Sequence, residues 1–311
     1  MAEYLTNSTP KIPKKKQMGL MRGILNINKP AGISSYDCIR QLKPLLKPKK
    51  IGHAGTLDPL ASGVLLILVN EATKISRLLM DLPKEYEAEI RFGIQTDTDD
   101  ITDRVINTTP VPTLTLEELA QFLYQKFAGE IEQIPPRFSA LKSAGEPLYK
   151  LARKGADVNP KPRTVNVYEI RLLEWHPPIA RIYARVSGGT YIRALCRDIG
   201  LALSSSATLS SLIRKSIGNF KISQAYILRQ LQESKTKLAE YLVPIERALG
   251  HLPKVFVSKD QAQALFQGKI GIGNLLPHEG LVLAQTEDNR FLALVRIKNG
   301  ALFPERIIYA D

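Results

Sequence analysis

Residues 52–69 read GHAGTLDPLASGVLLILV, a polar loop followed by an uninterrupted apolar run. Such a run favours a strand that is buried on both faces. In the loop, the proline after Asp58 restricts that residue to extended backbone angles, while Gly55 and Gly63 permit sharp turns or the close approach of another backbone. The sequence therefore predicts a rigid strand, Val64 to Val69, that anchors a constrained loop around a single carboxylate.

From this local pattern alone, Asp58 has two interpretations. Loops that are carried by a firm scaffold often hold functional residues. Asp-Pro is also common in turns, where the carboxylate only accepts a backbone hydrogen bond. Without further information, the turn is the favoured interpretation.

The composition favours a nucleic-acid partner. The chain has 311 residues, a length that suggests about two domains. Its hydrophobic fraction of 44% is ordinary for a folded protein, but the formal charge of +13 and the pI near 9.6 predict attraction to a polyanion. No strongly basic amphipathic helix with a bulky apolar face supports a membrane surface as that partner. Charge that serves only solubility is the alternative.

The two cysteines, Cys38 and Cys196, lie far apart, and neither belongs to a Cys-x-x-Cys pair. A disulfide framework and a thiol-rich zinc site are therefore not expected. The N-terminus lacks an apolar signal segment, and the longest apolar run is far short of the roughly 20 residues that a membrane helix needs. We expect a cytoplasmic protein.

Local patterns predict the first elements of the chain. Residues 1–22 are polar, carry a run of three lysines and show no period, so they are expected to form a flexible basic tail. A strand is predicted from Gly23 to Ile27, and Ser34 or Ser35 is expected to cap a helix after it. The predicted inward residues of that helix are Tyr36, Ile39, Leu42 and Leu45, and the lysines that follow it before the polar loop are Lys47, Lys49 and Lys50.

Later segments show equally clear periods. A helix is predicted over residues 72–80, and the alternation from Lys84 to Phe92 predicts a strand with Tyr86 on its apolar face, as is typical of a core tyrosine. Thr115 and Glu118 form a predicted capping box. The residues expected to face inward from the helix that it opens are Leu116, Leu119, Phe122, Leu123 and Phe127.

Two segments resemble ligand loops but do not fit them. The acidic stretch from Asp97 to Asp103 has Thr102 and Thr108 where an EF-hand loop needs glycine and glutamate, so we predict a turn between strands. The glycine-rich turn at residues 187–190 enters a helix, but no P-loop or dinucleotide pattern surrounds it. No nucleotide cofactor is therefore expected.

The pattern changes near residue 251 to short alternating strands. Ser258 and Gln261 predict a capped short helix, and Asn299-Gly300 predicts a hairpin turn. A separate small β-rich module is therefore expected over residues 251–311.

Residues 52–65, together with Ala72-Thr73-Lys74, resemble the signature of the TruB family of bacterial tRNA pseudouridine synthases. Further blocks occur in the same order as in that family, so that the resemblance covers residues 23–250. These blocks are Asn-Lys-Pro-x-Gly-x-Ser-Ser from Asn28, Lys-x-Tyr ending at Tyr86, Gly-Thr-Tyr-Ile-Arg ending at Arg193, and Leu209 to Arg214 with Gly218. The chain departs from the family at Asn70 and Asp103, where glycine is usual, which concerns the geometry of two turns.

The resemblance implies an α+β pseudouridine-synthase fold over residues 23–250, with a central mixed, largely antiparallel sheet flanked by helices. It implies a PUA-like RNA-binding domain over residues 251–311, for which a merely stabilising appendage is the alternative. The implied activity is the conversion of uridine 55 in the T-loop of tRNA to pseudouridine. The T-arm of tRNA is the implied partner of a monomer that needs no metal, no organic cofactor and no obligatory protein partner.

The family match also implies roles for individual residues. Asp58 is expected to be the nucleophile, and Arg193 is expected to pair with it and keep it charged and aimed. Tyr191 is expected to handle the C5 proton or to hydrogen-bond the base.

Four further residues are implied to bind substrate. Tyr86 would stack on the target base, and Leu212 would line the base pocket. His53 would contact the extruded nucleotide or fill space in the RNA loop. Lys74 is part of the matching motif and is implied to bind substrate with the others. Without the match, it would be interpreted as a solvated surface lysine.

Two alternatives stay open. A guide-dependent pseudouridine synthase of the archaeal or eukaryotic type is the first alternative among enzymes, but the short basic tail and the lack of long charged extensions argue against it. An RNA-binding or tRNA-folding protein without essential chemistry is the second, and the complete set of implied catalytic residues argues against that.

Overall fold

The computed structural model describes residues 21–139, 141–143, 146–156, 158, 160–234, 238–272 and 279–310. All but the last two residues of the predicted basic tail, residues 1–22, lie outside this set. The strands are β1 (Gly23–Lys29), β2 (Ile51–Ala54), β3 (Ser62–Val69), β4 (Lys84–Phe92), β5 (Ile94–Thr96), β6 (Val105–Thr108), β7 (Gly129–Gln133), β8 (Lys142–Ser143), β9 (Glu146–Pro147), β10 (Arg163–His176), β11 (Ile179–Val186), β12 (Ala207–Ile217), β13 (Phe220–Lys221), β14 (Tyr226–Ile227), β15 (Lys254–Phe256), β16 (Gly271–Ile272), β17 (Gly280–Gln285), β18 (Phe291–Lys298) and β19 (Ala301–Ala310).

Among the described residues, the α-helices are fewer than the strands. The α-helices are α1 (Ser35–Leu46), α2 (Ser76–Asp81), α3 (Leu116–Phe127), α4 (Leu148–Arg153), α5 (Ile192–Ala202), α6 (Leu228–Glu233), α7 (Ile245–Ala248) and α8 (Lys259–Phe266), and 3-10 helices span Asn70–Ile75, Ile222–Gln224 and Leu238–Tyr241. Over the described ranges, no helix has the length and apolar character needed to cross a membrane.

One large sheet organises residues 23–227. Its strand order is β14-β1-β3-β12-β4-β11-β10-β7, with β2 paired to β3 and β13 paired to β12. Two of its pairs are parallel, β1 with β14 and β3 with β12, and the others are antiparallel. The predicted α+β fold with a mixed, largely antiparallel sheet is therefore confirmed.

Strand β3 is the centre of the molecule, because both of its faces are buried. Leu65 and Ile67 face a core formed with α1, α3, α5 and α6, whereas Leu66 and Leu68 face a second core. All residues from Val64 to Val69 are 0% exposed. The prediction of a doubly buried strand after the polar loop is confirmed.

The second core joins the large sheet to the C-terminal sheet, whose strand order is β15-β17-β18-β19-β16. From the large sheet it receives Leu66 and Leu68, and from the C-terminal sheet it receives Leu283, Leu292 and other apolar side chains. The opposite face of the C-terminal sheet has a separate small core, to which α8 contributes. The C-terminal sheet is thus packed firmly against the back of β1 and β3.

Several local predictions hold at the level of single bonds. Thr115 caps its helix through the predicted capping box, and Ser258 caps the predicted short helix in the same way. Of the two candidates for the first helix, Ser34 is the cap, and it also forms a capping box. Asn70 has φ 53°, a left-handed conformation that asparagine tolerates better than most residues. Its amide holds the turn by bonding the backbone of Lys50 and Met21, which explains how asparagine replaces the usual glycine.

Two inward residues were predicted wrongly. Tyr36 is 68% exposed, because it lies about 100° around α1 from Ser35, and the buried face is centred on Ser35. Leu116 is 44% exposed. It shares the buried face of α3 but is the first residue of the helix, so its side chain points back past the end of the packed surface.

Gly63 lies at the start of β3, directly after the polar loop, where β3 pairs with β12. Its φ is +104°, and a Cβ placed on it would lie 2.2 Å from the carbonyl oxygen of Arg214. Any side chain at this position would therefore separate the two strands. Gly32 also has a positive φ, +90°, but a Cβ there would meet nothing within 4 Å.

We predict that Gly63→Ala destabilises the protein much more than Gly32→Ala. Both substitutions impose left-handed backbone strain, which costs about 1 kcal/mol, but only the first adds a clash with buried backbone. The free energy of unfolding from urea denaturation should fall by about 1 kcal/mol for Gly32→Ala and by more than about 3 kcal/mol for Gly63→Ala. Equal losses in the two variants would contradict the close approach of β3 and β12.

Candidate active site

The loop that carries Asp58 is fixed by backbone hydrogen bonds from a neighbouring turn and helix. The amide of Gly32 donates to the carbonyl of Pro59 at 2.7 Å. The hydroxyl of Ser35 accepts from the amide of Leu57 at 2.8 Å and donates to the Leu57 carbonyl at 2.9 Å. The start of α1 therefore holds the residues on both sides of Asp58.

Asp58 and Arg193 form a two-point ion pair. The Nε of Arg193 lies 2.9 Å from Oδ2 of Asp58, and its Nη2 donates to Oδ1 at 3.2 Å. The arginine side chain is 6% exposed and the aspartate side chain 37% exposed. The guanidinium is therefore buried beneath the carboxylate, while part of the carboxylate stays accessible to a bound molecule.

The remaining donors of Arg193 are also engaged. Nη1 donates to the carbonyl of Thr98 at 2.7 Å, and Nη2 donates to the carbonyl of Phe138 at 3.0 Å. A second carboxylate, Asp100, lies 3.8 Å from Nη1. Because the guanidinium is planar and held on several sides, it fixes the orientation of the Asp58 carboxylate.

The acidic stretch from Asp97 to Asp103 supplies part of this support. Oδ1 of Asp100 accepts from the amide and hydroxyl of Thr102, and Asp99 pairs with Arg197 at 2.8 Å. These carboxylates are thus neutralised by the protein itself. The prediction that the stretch is a turn between strands, here β5 and β6, is confirmed.

Tyr191 precedes α5, two residues before Arg193, and its backbone is held on both sides. The side-chain amide of Gln133 accepts from the Tyr191 amide at 2.8 Å and donates to its carbonyl at 3.0 Å. Burial raises the pKa of the Tyr191 phenol, and Ser139 and the charges of Arg163 and Arg193 oppose that effect. The phenol is therefore protonated at neutral pH and is available as a hydrogen-bond donor near the ion pair.

Tyr86 and Leu212 lie on one face of the large sheet. Tyr86 pairs with Arg214 across β4 and β12, and Leu212 pairs with Ala88, so these side chains are on the same side. Both Tyr86 and Leu212 are 6% exposed and belong to the core that also contains Leu57. The structure thus places them beside the Asp58 loop, in the position of core residues, and their contact with a base stays a prediction.

His53 and Lys74 each have a defined environment in the folded chain, and their contact with substrate stays a prediction. Burial lowers the pKa of the His53 imidazole, and the charge of Arg214 lowers it further, so the ring is neutral at pH 7. The ammonium of Lys74 donates to the carbonyls of Ile307 and Ile308 at 3.2 and 2.7 Å. Lys74 therefore links the 3-10 helix after β3 to the C-terminal sheet, and its binding of substrate is still a prediction.

Three buried cations near the loop were not assigned roles from the sequence. Arg214 is 1% exposed; it donates to the carbonyls of Gly55, Thr56 and Val64, at 2.9, 3.4 and 2.7 Å. One guanidinium thus joins both ends of the Asp58 loop. It stands at an inward position of β12.

Lys29 and Lys84 are also buried cations that bond to backbone carbonyls. Lys29 is 0% exposed and Lys84 is 6% exposed, and each ammonium donates to two backbone carbonyls of an adjacent turn. Burial lowers the pKa of both, and for Lys84 it reaches about 8. A signal for both was present, because each lysine falls on the inward phase of an alternating strand, in register with Ile27 and Tyr86 respectively.

Chemically, the arrangement presents one accessible carboxylate over buried positive charge, with a protonated phenol nearby. Such a carboxylate is held in a fixed orientation, as a nucleophile requires. Within the described parts of the chain, no group of three or more His, Cys, Asp or Glu side chains is placed to hold a metal ion.

We predict that Lys84→Met flattens the pH dependence of stability between pH 8 and 10.5. The unfolded lysine keeps its proton up to about pH 10.4, whereas the folded one releases it near pH 8. Since the unfolded state then binds more protons, Lys84 makes the free energy of unfolding rise with pH in this window, by up to about 1.4 kcal/mol per pH unit.

The measurement is urea unfolding of the wild type and Lys84→Met across that pH range. Lys126→Met, at an exposed position on α3, is the matched control and should keep the wild-type slope. An identical slope in Lys84→Met and the wild type would show that the pKa of Lys84 is not lowered.

Comparison of the chain with known proteins identifies its family. The chain matches the model described as "TruB family pseudouridylate synthase (N terminal domain)" over residues 43–192 and that described as "tRNA pseudouridylate synthase B C-terminal domain" over residues 193–250. The tRNA pseudouridine synthase B of Trichormus variabilis is 39% identical over 292 residues, covering 92% of this chain and 98% of the relative. That of Clostridium kluyveri is 42% identical over 248 residues, covering 80% and 84%.

Solved structures show the same fold. A Cbf5-Nop10-Gar1 complex contains a chain that is 27% identical with a TM-score of 0.71, covering 94% of this chain and 87% of that one. An H/ACA RNP bound to a substrate RNA contains one that is 25% identical with a TM-score of 0.67, covering 94% and 86%. With two consecutive family models matching residues 43–250 and close relatives aligned over most of its length, the chain belongs to the TruB family of pseudouridylate synthases.

Proposed function

We propose that this protein converts uridine 55 in the T-loop of tRNA to pseudouridine, with Asp58 as the nucleophile. The observation that carries the proposal is the accessible Asp58 carboxylate held at two points by the buried Arg193 guanidinium. Its place on the loop that matches the family signature supports the same conclusion.

The reaction is an isomerisation and needs no outside reagent. The bond between C1′ of the ribose and N1 of uracil breaks, the base turns, C1′ joins C5, and C5 loses a proton while N1 gains one. Asp58 supplies the nucleophile, and Arg193 holds its carboxylate in place through two contacts. Tyr191, whose buried phenol keeps its proton, is proposed to handle the C5 proton or to hydrogen-bond the base.

The target base must leave the folded T-loop before it reacts. Flipping costs a few kcal/mol, and stacking on an aromatic ring returns about 1 to 3 kcal/mol. Tyr86 is the proposed stacking partner, and Leu212 is proposed to line the pocket. Because Tyr86 is 6% exposed without RNA, the side chains that cover its ring have to move when the base enters.

The remaining assignments concern the setting of the reaction. We infer that the enzyme acts in the cytoplasm as a monomer without an obligatory protein partner, since the identity of 39% and 42% to two tRNA pseudouridine synthase B relatives exceeds the 27% identity to the chain from the Cbf5-Nop10-Gar1 complex. The C-terminal sheet is proposed to be a PUA-like RNA-binding domain, over residues 251–311, which Lys74 holds in place. His53 is proposed to lie against the extruded nucleotide as a neutral ring.

We predict that Asp58→Asn abolishes turnover and leaves tRNA affinity nearly unchanged, because the amide cannot act as the nucleophile but keeps the shape of the side chain. The measurement is tritium release from tRNA labelled at C5 of uridine, with the purified protein alone, beside a binding assay. Asp81→Asn, at an exposed position at the end of α2, is the matched control and should stay active. Turnover by Asp58→Asn would refute the nucleophile assignment, and turnover only in the presence of a guide RNA would favour the guide-dependent alternative.

We predict that Arg193→Lys lowers kcat by about 100-fold with little change in KM. A lysine keeps the charge but cannot donate to Asp58, Thr98 and Phe138 in one plane, so the carboxylate loses its fixed orientation. Arg77→Lys, at a position where the arginine side chain is 94% exposed, should behave as the wild type. Steady-state kinetics with full-length tRNA provide the test, and a wild-type kcat in Arg193→Lys would contradict the orienting role.

A further inference from the structure

The outer face of α1 carries a regular line of one aromatic and three basic residues. Tyr36, Arg40, Lys43 and Lys47 are spaced by four, three and four positions. At about 100° per residue, their directions fall within a narrow arc, roughly a right angle away from the buried face centred on Ser35. We refer to these four residues as the α1 stripe.

The α1 stripe is open to solvent and carries unneutralised charge. Tyr36 is 68% exposed, and Lys43 and Lys47 are exposed. Arg40 pairs with Asp37 at the surface. In the part of the chain that the structure describes, no carboxylate lies within ion-pair distance of Lys43 or Lys47, so two full positive charges face outward.

Lys47 holds an unusual backbone conformation. It ends α1 with φ 43° and ψ 49°, a left-handed geometry for which glycine is favoured. A residue with a Cβ costs roughly 1 to 2 kcal/mol there. Helix stability therefore does not account for a lysine at this position. Lys43 differs, because a positive charge in the last turn interacts favourably with the helix dipole.

The α1 stripe begins beside the candidate active site. Ser35, next to Tyr36 in the chain, exchanges two hydrogen bonds with Leu57 of the Asp58 loop. From Tyr36 to Lys47 the helix advances about 16 Å, at about 1.5 Å per residue. A polymer whose reacting unit lies at Asp58 can therefore follow the α1 stripe away from the site.

A groove lies along the α1 stripe and is lined by its four residues. Its volume is about 480 Å³. Besides the four residues of the stripe, it is lined by Ile39, Pro44 and Pro48. An aromatic ring, two prolines and a row of cations form a surface that suits sugar and phosphate groups, since aromatic rings pack on bases or sugars and lysines neutralise phosphates.

We propose that the α1 stripe binds the sugar-phosphate backbone of the bound tRNA outside the target nucleotide, with Lys43 and Lys47 at phosphates and Tyr36 against a sugar or base. This inference rests on the proposed function, because it assumes that tRNA occupies the site. The excess charge of +13 matches a polyanion. The continuity of the stripe with the Asp58 loop favours the substrate RNA over a separate acidic protein.

The test compares tRNA binding of the wild type with Lys43→Gln/Lys47→Gln, and separately with Tyr36→Ala, between 50 and 200 mM salt. Each phosphate contact contributes nearly one unit to the slope of log affinity against log salt. The double variant should therefore lose about two units of slope and bind about tenfold more weakly. Tyr36→Ala should weaken binding while keeping the wild-type slope.

Helix α3 provides a matched control. Tyr124 is 69% exposed there, and Lys126 is exposed close by, but acidic and amide side chains surround them instead of a basic row. Tyr124→Ala/Lys126→Gln should bind tRNA with the affinity and slope of the wild type. Circular dichroism checks that all variants are folded.

The outcomes separate this proposal from the proposed function. Wild-type affinity and slope in Lys43→Gln/Lys47→Gln, with turnover by the unchanged protein, would overturn the role of the α1 stripe alone. Equal losses in the α3 control would overturn it as well, because the effect would then not depend on the position of the substituted residues. No binding or turnover of tRNA by the unchanged protein would overturn both.

Discussion

Arg214 is a buried charge whose partners are almost all backbone carbonyls, and much of the site depends on it. A guanidinium that is 1% exposed loses its hydration and needs compensation from fixed dipoles. Three carbonyls provide it, two of them at the start of the Asp58 loop and one at the start of the apolar strand. If the loop changed shape, the buried guanidinium would lose these hydrogen bonds. The need to keep them therefore holds the loop rigid.

The same charge acts on groups farther away. It contributes to the lowered pKa of Lys29, His53 and Lys84, after burial as the main cause. The neighbourhood of Asp58 therefore contains buried positive charge besides that of Arg193. A negatively charged backbone approaching this side of the sheet meets a field that is built into the interior and that salt screens only weakly.

Much of the fold was readable from the sequence, because local patterns carried it. The apolar run after Gly63 predicted β3, the alternation after Lys84 predicted β4, and the capping patterns at Thr115 and Ser258 marked the starts of two helices. Tyr36 shows where such reading fails. When an apolar side chain lies at the edge of a helical face, the local sequence does not show whether it is buried or exposed. Its burial depends on where the buried face of the helix is centred, which is set by the tertiary packing.

The site was less readable, since its contacts join distant parts of the chain. The family resemblance named Asp58 and Arg193, which are in fact in contact, but nothing local indicated that Thr98 and Phe138 would hold the guanidinium. Lys29 and Lys84 did leave a trace, because a lysine on the inward phase of a strand conflicts with the pattern around it. Gln133, which fixes Tyr191 from 58 positions away, left none.

The packing of the C-terminal sheet on the back of the central strand has a consequence for how the protein unfolds. Leu66 and Leu68 are completely buried by a core that Leu283 and Leu292 help to form. If the C-terminal sheet detached, these residues of the central strand would be exposed to water, at a cost of about 1.5 to 3 kcal/mol for each side chain. The two sheets are therefore expected to lose structure in one cooperative transition, and a chain shortened before the C-terminal sheet would aggregate through the apolar face left uncovered.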